Sequence, residues 1–243
     1  MVDPPARPAH FCNMSSTNFA SRITRSPIAY DPDPARDIAD QFGDLGTDLR
    51  LVLSGAAGCS PYLKGLMDKQ ADWLREALSQ SPEDAFAGAM KQVEGDSDSA
   101  LRTSLRIAKQ RIALLTGLAD LAGVWNLEQV TGALTDFAGH ATDTAMKFQV
   151  GQEIRRNKLP GMSDDDIAIA GGMVALAMGK MGAGELNYSS DIDLIMLFDD
   201  SRFDGDDFHE ARASHIRATR RMSAMLSELT SDGYVFRTDL RLR

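Results

Sequence analysis

Apolar residues recur at helical spacing through the middle of the chain. Trp73, Leu74, Ala77 and Leu78 share one helix face, and Ser81-Pro82-Glu83-Asp84 reads as an N-cap with proline at the first helical position. Leu101, Leu105, Ala108, Ile112 and Leu115 form a second stripe, with Arg102, Arg106, Lys109 and Arg111 mostly off it. A further helix is expected from Leu127 through Ala141, Ala145 and Phe148 to Ile154. After a loop with Gly161 and the solvated turn Asp164-Asp165-Asp166, the pattern changes. The run Ile167 to Met178 reads as a buried strand, apolar on both faces. Asp191 to Phe198 and Tyr234 to Leu242 read as two more strands. Between them a helix from about Asp206 to Thr230 carries the stripe Ala211, Ala218, Met222, Met225 and Leu229. The turn signal Asp232-Gly233 precedes the last strand.

These elements predict an α+β fold: a helical domain over 36–158, then a small mixed sheet with covering helices over 159–243. Residues 1–35 hold six of the nine prolines among Ser, Thr, Asn and Asp, and read as a disordered tail. No internal repeat is visible.

Composition narrows the function classes. With 43% hydrophobic and 25% charged residues the chain is an ordinary globular protein. Lys plus Arg is 26 against 35 for Asp plus Glu, a net charge of −9, which argues against a protein that coats nucleic acid. Cys12 and Cys59 with the scattered His10, His140, His209 and His215 give no metal-cluster spacing. No apolar run reaches the ~18 residues a membrane helix needs, and no secretory apolar core follows the N-terminal arginines. A cytoplasmic protein with no membrane partner is expected.

The candidate chemistry lies on the last two strands. Period two places Asp191 and Asp193 on one face, with Ile192, Leu194, Met196 and Phe198 on the other. Two carboxylates on one face repel each other unless exposed to solvent or bridged by a cation; a hard divalent ion, most simply Mg²⁺, would bridge them. On the third strand Arg237, Asp239, Arg241 and Arg243 share a face, opposite Tyr234, Phe236, Thr238, Leu240 and Leu242. Three carboxylates beside an arginine row suit phosphoryl or nucleotidyl transfer; a solvated ion-pair ladder is the other reading of the same face. Gly179-Lys180-Met181-Gly182-Ala183-Gly184 is a glycine-rich turn that fits neither phosphate-loop pattern, so its interest is positional.

The spacing Gly179, eleven residues, Asp191-x-Asp193, with Asp239 on a later strand, resembles the DNA polymerase β-like nucleotidyltransferase superfamily. The string Met-Gly-Lys-Met-Gly-Ala-Gly-Glu-Leu-Asn-Tyr-Ser-Ser-Asp-Ile-Asp-Leu-Ile from Met178 to Ile195, with Phe236-Arg-Thr-Asp-Leu-Arg-Leu-Arg243, looks more specifically like the glutamine synthetase adenylyltransferase/adenylyl-removing family. Gly179-Lys180 stands where the superfamily has Gly-Ser.

The resemblance implies a multifunctional enzyme with two related halves in a long chain. One half transfers AMP from ATP to a tyrosine of glutamine synthetase. The other removes it by phosphorolysis, giving ADP, with PII-type signal proteins setting the balance. Gly58-Cys-Ser-Pro-Tyr-Leu-Lys-Gly-Leu66 looks like the start of the removing half, and the family continues beyond the point where this chain ends. The resemblance implies Mg²⁺ on Asp191, Asp193 and Asp239, anion contacts from Arg237, Arg241 and Arg243, and Gly179, Lys180 and Ser190 near the nucleotide. The alternatives are a different small nucleotidyltransferase, or an inactive fragment that binds nucleotide or a partner.

Overall fold

A computed structural model describes residues 17–242. They form two compact units, one of residues 17–93 with 107–136, the other of 94–106 with 137–242. The sequence boundary near 158 is not where they divide: the chain crosses between the units at 93/94 and within two long helices, at 106/107 and 136/137.

The first unit holds α1 (Pro32–Gln41), α2 (Thr47–Cys59), α3 (Pro61–Lys69), α4 (Ala71–Ser79) and α5 (Pro82–Lys91). It also holds parts of α6 (Asp98–Leu121) and α7 (Leu127–Arg155). Three of these helices start at proline, each behind a capping side chain: Asp31 accepts from the Asp33 amide, Ser60 from Leu63 and Ser81 from Asp84.

The expected tail needs correcting from Thr17 onward. Phe19 is fully buried. Arg22 donates to both oxygens of Glu83, at 2.9 and 2.7 Å, and the Trp125 indole donates to the same carboxylate at 2.8 Å. Pro27 lies against α2, where a β-carbon on Gly55 would stand 1.9 Å from its carbonyl oxygen, so only glycine admits the approach. The prolines that suggested disorder instead set extended chain and helix starts. Residues 1–16 of that expectation lie outside the described residues.

The second unit carries β1 (Met173–Met178), α8 (Gly179–Gly182), β2 (Ile192–Phe198), α9 (Gly205–Ser227) and β3 (Thr238–Leu242). The sheet order is β1-β2-β3, with β1 antiparallel and β3 parallel to β2. A parallel pair needs a crossover, which α9 provides. Ile192, Leu194 and Met196 of β2 are buried, as are Ala211, Ala218, Met222, Met225 and Leu226 of α9.

Two strand expectations change. The run from Ile167 is not strand throughout: Asp164–Gly172 forms a 3-10 turn with left-handed Ala170 and Gly171, and β1 starts at Met173. Nor is β1 covered on both faces, since Val174, Leu176 and Met178 are exposed beside buried Met173. The third strand pairs only from Thr238, because Val235 and Phe236 are both buried and break the alternation. α9 stops at Ser227, leaving Leu229 exposed. Arg106, expected with its charged neighbours mostly off the apolar stripe, is nevertheless buried: only 2% of it meets solvent.

Candidate active site

The glycine turn and the carboxylates meet through strand pairing. Antiparallel β1–β2 register sets Met178 opposite Asp193, so the chain leaves β1 at Gly179 beside that carboxylate. Gly179 has φ +56°, and a β-carbon there would lie 2.9 Å from Asp193 Oδ2. The positive φ calls for glycine, while the contact is with the movable end of the Asp193 side chain. The turn continues as the four-residue α8, with Met181 buried and Lys180 exposed. Leu186, fully buried, anchors the loop that returns to β2.

On the other side of β2, parallel register sets Asp193 directly beside Asp239. Both are exposed, on the sheet face opposite Ile192, Leu194 and Met196. Like charges directly across neighbouring strands repel, and adjacent carboxylates offer the hard oxygens that Mg²⁺ prefers. These two residues fit such an ion as a pair.

Asp191 is placed differently. It precedes β2, and Arg237 Nε donates to its Oδ1 at 2.5 Å, while Arg237 Nη2 donates to the Ser189 carbonyl at 3.0 Å. The backbone closes the same contact, since Ile192 N–H donates to the Arg237 carbonyl at 2.9 Å. Among the described residues no three acidic, His or Cys side chains converge as a metal-holding group. Ser190 is half-buried, its amide bonded to the Asn187 carbonyl at 3.2 Å. The Arg241 backbone pairs with Ile195 in register. Arg243 lies outside the described residues. A cleft of about 380 Å³ lined by Thr142, Met146, Met173, Met181 and Leu194 includes none of the three carboxylates, so the site is located by its chemistry and not by concavity.

The connection that delivers Arg237 and Asp239 holds a feature the sequence pattern passes over. Val235 and Phe236 N–H groups both donate to the Leu226 carbonyl of α9, at 2.9 and 3.0 Å. The Phe236 ring packs 5.6 Å from that of Phe137, and Ser223 and Thr238 share a hydroxyl hydrogen bond of 2.6 Å. Arg106 of α6 sits behind this junction, bonded to its main-chain carbonyls. No spacing signal marks it, because one charged residue among Arg102, Lys109 and Arg111 looks like another.

The chain is 36% identical over 252 residues to the bifunctional glutamine synthetase adenylyltransferase/adenylyl-removing enzyme of Rhodopseudomonas palustris. It is 41% identical over 250 residues to the enzyme of that name from a Bradyrhizobium species, and 40% over 196 residues to that of Caulobacter vibrioides. These alignments cover 95%, 95% and 79% of this chain. The chain spans about a quarter of the first two relatives and a fifth of the third. The sequence profile of the glutamate-ammonia ligase adenylyltransferase family matches residues 51–243, a stretch that contains every candidate site residue. The chain therefore belongs to the glutamate-ammonia ligase adenylyltransferase family, whose members are nucleotidyltransferases.

Proposed function

We propose that this chain acts on the adenylyl group of glutamine synthetase, in the direction that removes it. The observation that carries the reading is the register pairing of Asp193 with Asp239, with the Gly179 turn against Asp193. The motif at 58–66 favours the removing half. Asp193 and Asp239 would hold Mg²⁺, and Asp191 would join them as the third carboxylate only on leaving the Arg237 guanidinium that it now accepts from. When bound, the ion supplies charge stabilisation for the attacking and leaving oxygens of an in-line displacement.

The protein's own part is positioning. Arg237, Arg241 and Arg243 hold anionic oxygens, and a phosphate oxygen arriving at Arg237 competes with its present partner Asp191. Lys180 supplies a point charge beside Gly179, and Ser190 stands next to Asp191 in the nucleotide-side loop. An oxygen of inorganic phosphate attacks the AMP phosphorus, and the bond from phosphorus to the tyrosine oxygen breaks. The proton released by phosphate ends on tyrosine, leaving ADP. A PII-type protein would set the balance against the ATP-dependent reaction of the other half, in the cytoplasm.

The test supplies adenylylated glutamine synthetase, phosphate and Mg²⁺ and measures ADP. ADP release with little AMP transfer from ATP to the unmodified enzyme is the expected result. Efficient transfer without phosphorolysis would assign the chain to the opposite direction. Neither reaction, together with no Mg²⁺-dependent nucleotide binding, would overturn the enzyme reading.

A further inference from the structure

The Arg106 guanidinium is buried, and its acceptors are main-chain carbonyls. Nε donates to Gly233 at 2.9 Å, Nη2 to Glu228 at 2.6 Å, and Nη1 to Met225 at 3.2 Å and to Arg102, one turn back, at 3.0 Å. Met225 and Glu228 belong to the end of α9, where helical carbonyls lose their intrahelical partners. Gly233 belongs to the turn that starts the run into β3. The planar fork of five N–H donors therefore ties both ends of the 228–233 loop to one fixed point. Burial draws the pKa of Arg106 down, with the nearby Arg102 charge acting in the same direction. A buried cation is costly unless hydrogen-bonded, so the contact has a purpose beyond filling space.

We infer that Arg106 is a positioning residue: it locks the α9–β3 connection so that Asp239 enters the sheet beside Asp193. The inference rests on the proposed reading of those carboxylates as the metal-holding pair. β3 is a short edge strand of five residues, and its register is weakly held by its own length. What fixes it is upstream. The Leu226 carbonyl receives the Val235 and Phe236 amides only while the loop folds back on α9, and Arg106 holds that fold-back at both ends. Downstream, the Arg237 carbonyl then meets the Ile192 amide, and the Asp193–Asp239 register follows. Arg102 supports the same helix end from outside, donating to the Ala224 carbonyl at 3.3 Å and to the Glu228 carboxylate at 2.9 Å.

The test compares the 243-residue chain with Arg106→Lys and Arg106→Met, using Mn²⁺ as the metal probe by calorimetry and amide exchange by NMR. Both variants are expected to keep their helical spectrum. Mn²⁺ affinity should fall about tenfold or more in Arg106→Met, as when a group orienting metal ligands is lost, and less in Arg106→Lys. The Ile192 amide should exchange faster, while amides inside α7 such as Val150 keep their protection. General destabilisation would instead speed all of them together. Should Arg106→Met not fold, Arg106→Lys carries the same two readouts. A folded variant with the parent's Mn²⁺ affinity and the parent's exchange at Ile192 would overturn the inference. An Asp239→Asn control separates the two ideas. If metal binding in the parent ignores that change, the metal reading fails, and exchange at Ile192 alone decides the clamp.

Discussion

Gly179 approaches the Asp193 carboxylate so closely that a β-carbon would come within 2.9 Å of Oδ2, and it does so with φ +56°. The obstacle is the free end of an exposed side chain, which can swing aside at little cost. Gly179→Ala should therefore lose about 1–2 kcal/mol of stability, the left-handed backbone penalty, and little more from the clash. Its larger effect should be on Asp193, turned away from Asp239. A urea series paired with an Mn²⁺ titration checks this, and a variant that binds the ion as the parent does would show that the Asp193 orientation is immaterial.

The carboxylate pair has its own stability signature. Asp193 and Asp239 are like charges paired across β2 and β3, so Asp239→Asn should raise stability in chelator by about 0.2–1 kcal/mol. With Mg²⁺ added the order should reverse, since an ion that binds only the folded state stabilises the parent and not the variant. Melting curves with and without Mg²⁺ decide it. If turnover is established, the same substitution should cut it by about 10²-fold or more.

Glu153 of α7 exposes 1% of its side chain and accepts from Arg217 at 2.8 Å and Arg221 at 2.7 Å. This links the 137–155 part of α7 to α9 within the second unit. Removing one partner of a buried pair costs about 3–5 kcal/mol. Both guanidiniums keep about two-fifths of their exposure, so water can take them back and the lower end of that range is expected for Glu153→Leu. A loss under about 0.5 kcal/mol in urea unfolding would mean the cluster does not hold the helices together.

Much of this architecture is legible as periodicity. The alternation of Ile192, Asp193, Leu194 and Met196 alone tells which face of β2 is buried, and the stripe from Ala211 to Met225 marks the buried side of α9. The spacing from Gly179 to Asp193 is legible too, because a hairpin connection brings its two ends together. Three things are not. Apolar content could not show that Val174, Leu176 and Met178 face outward, since exposure depends on what else packs there. Proline content could not separate a disordered tail from Pro27 laid on Gly55. Pairing across strands distant in sequence set Asp239 beside Asp193 and gave Asp191 to Arg237, a partition no local pattern encodes.

Acid should find a weak point at His215 of α9. The ring is 2% exposed, stacked 4.7 Å from Phe198, with Phe203 6.0 Å away on edge, and neither nitrogen has a hydrogen-bond partner. Burial pushes its pKa down to about 4, although the Glu153 charge pulls the other way. In the unfolded chain the imidazole titrates near its ordinary 6.5. Above that pH both states hold it neutral and it contributes nothing. As the pH falls from 6.5 toward 4 the unfolded chain takes up the proton and the folded one does not, so stability drops, by up to about 3 kcal/mol at the low end. His215→Phe removes the titration and keeps a ring among the phenylalanines. Urea midpoints for parent and variant should diverge below about pH 6.5 and run parallel above it. Carboxylate titration is common to both chains and cancels in the difference. Parallel curves down to pH 4, or an imidazole resonance titrating near 6.5 in the folded parent, would show that the ring is not held neutral by its surroundings.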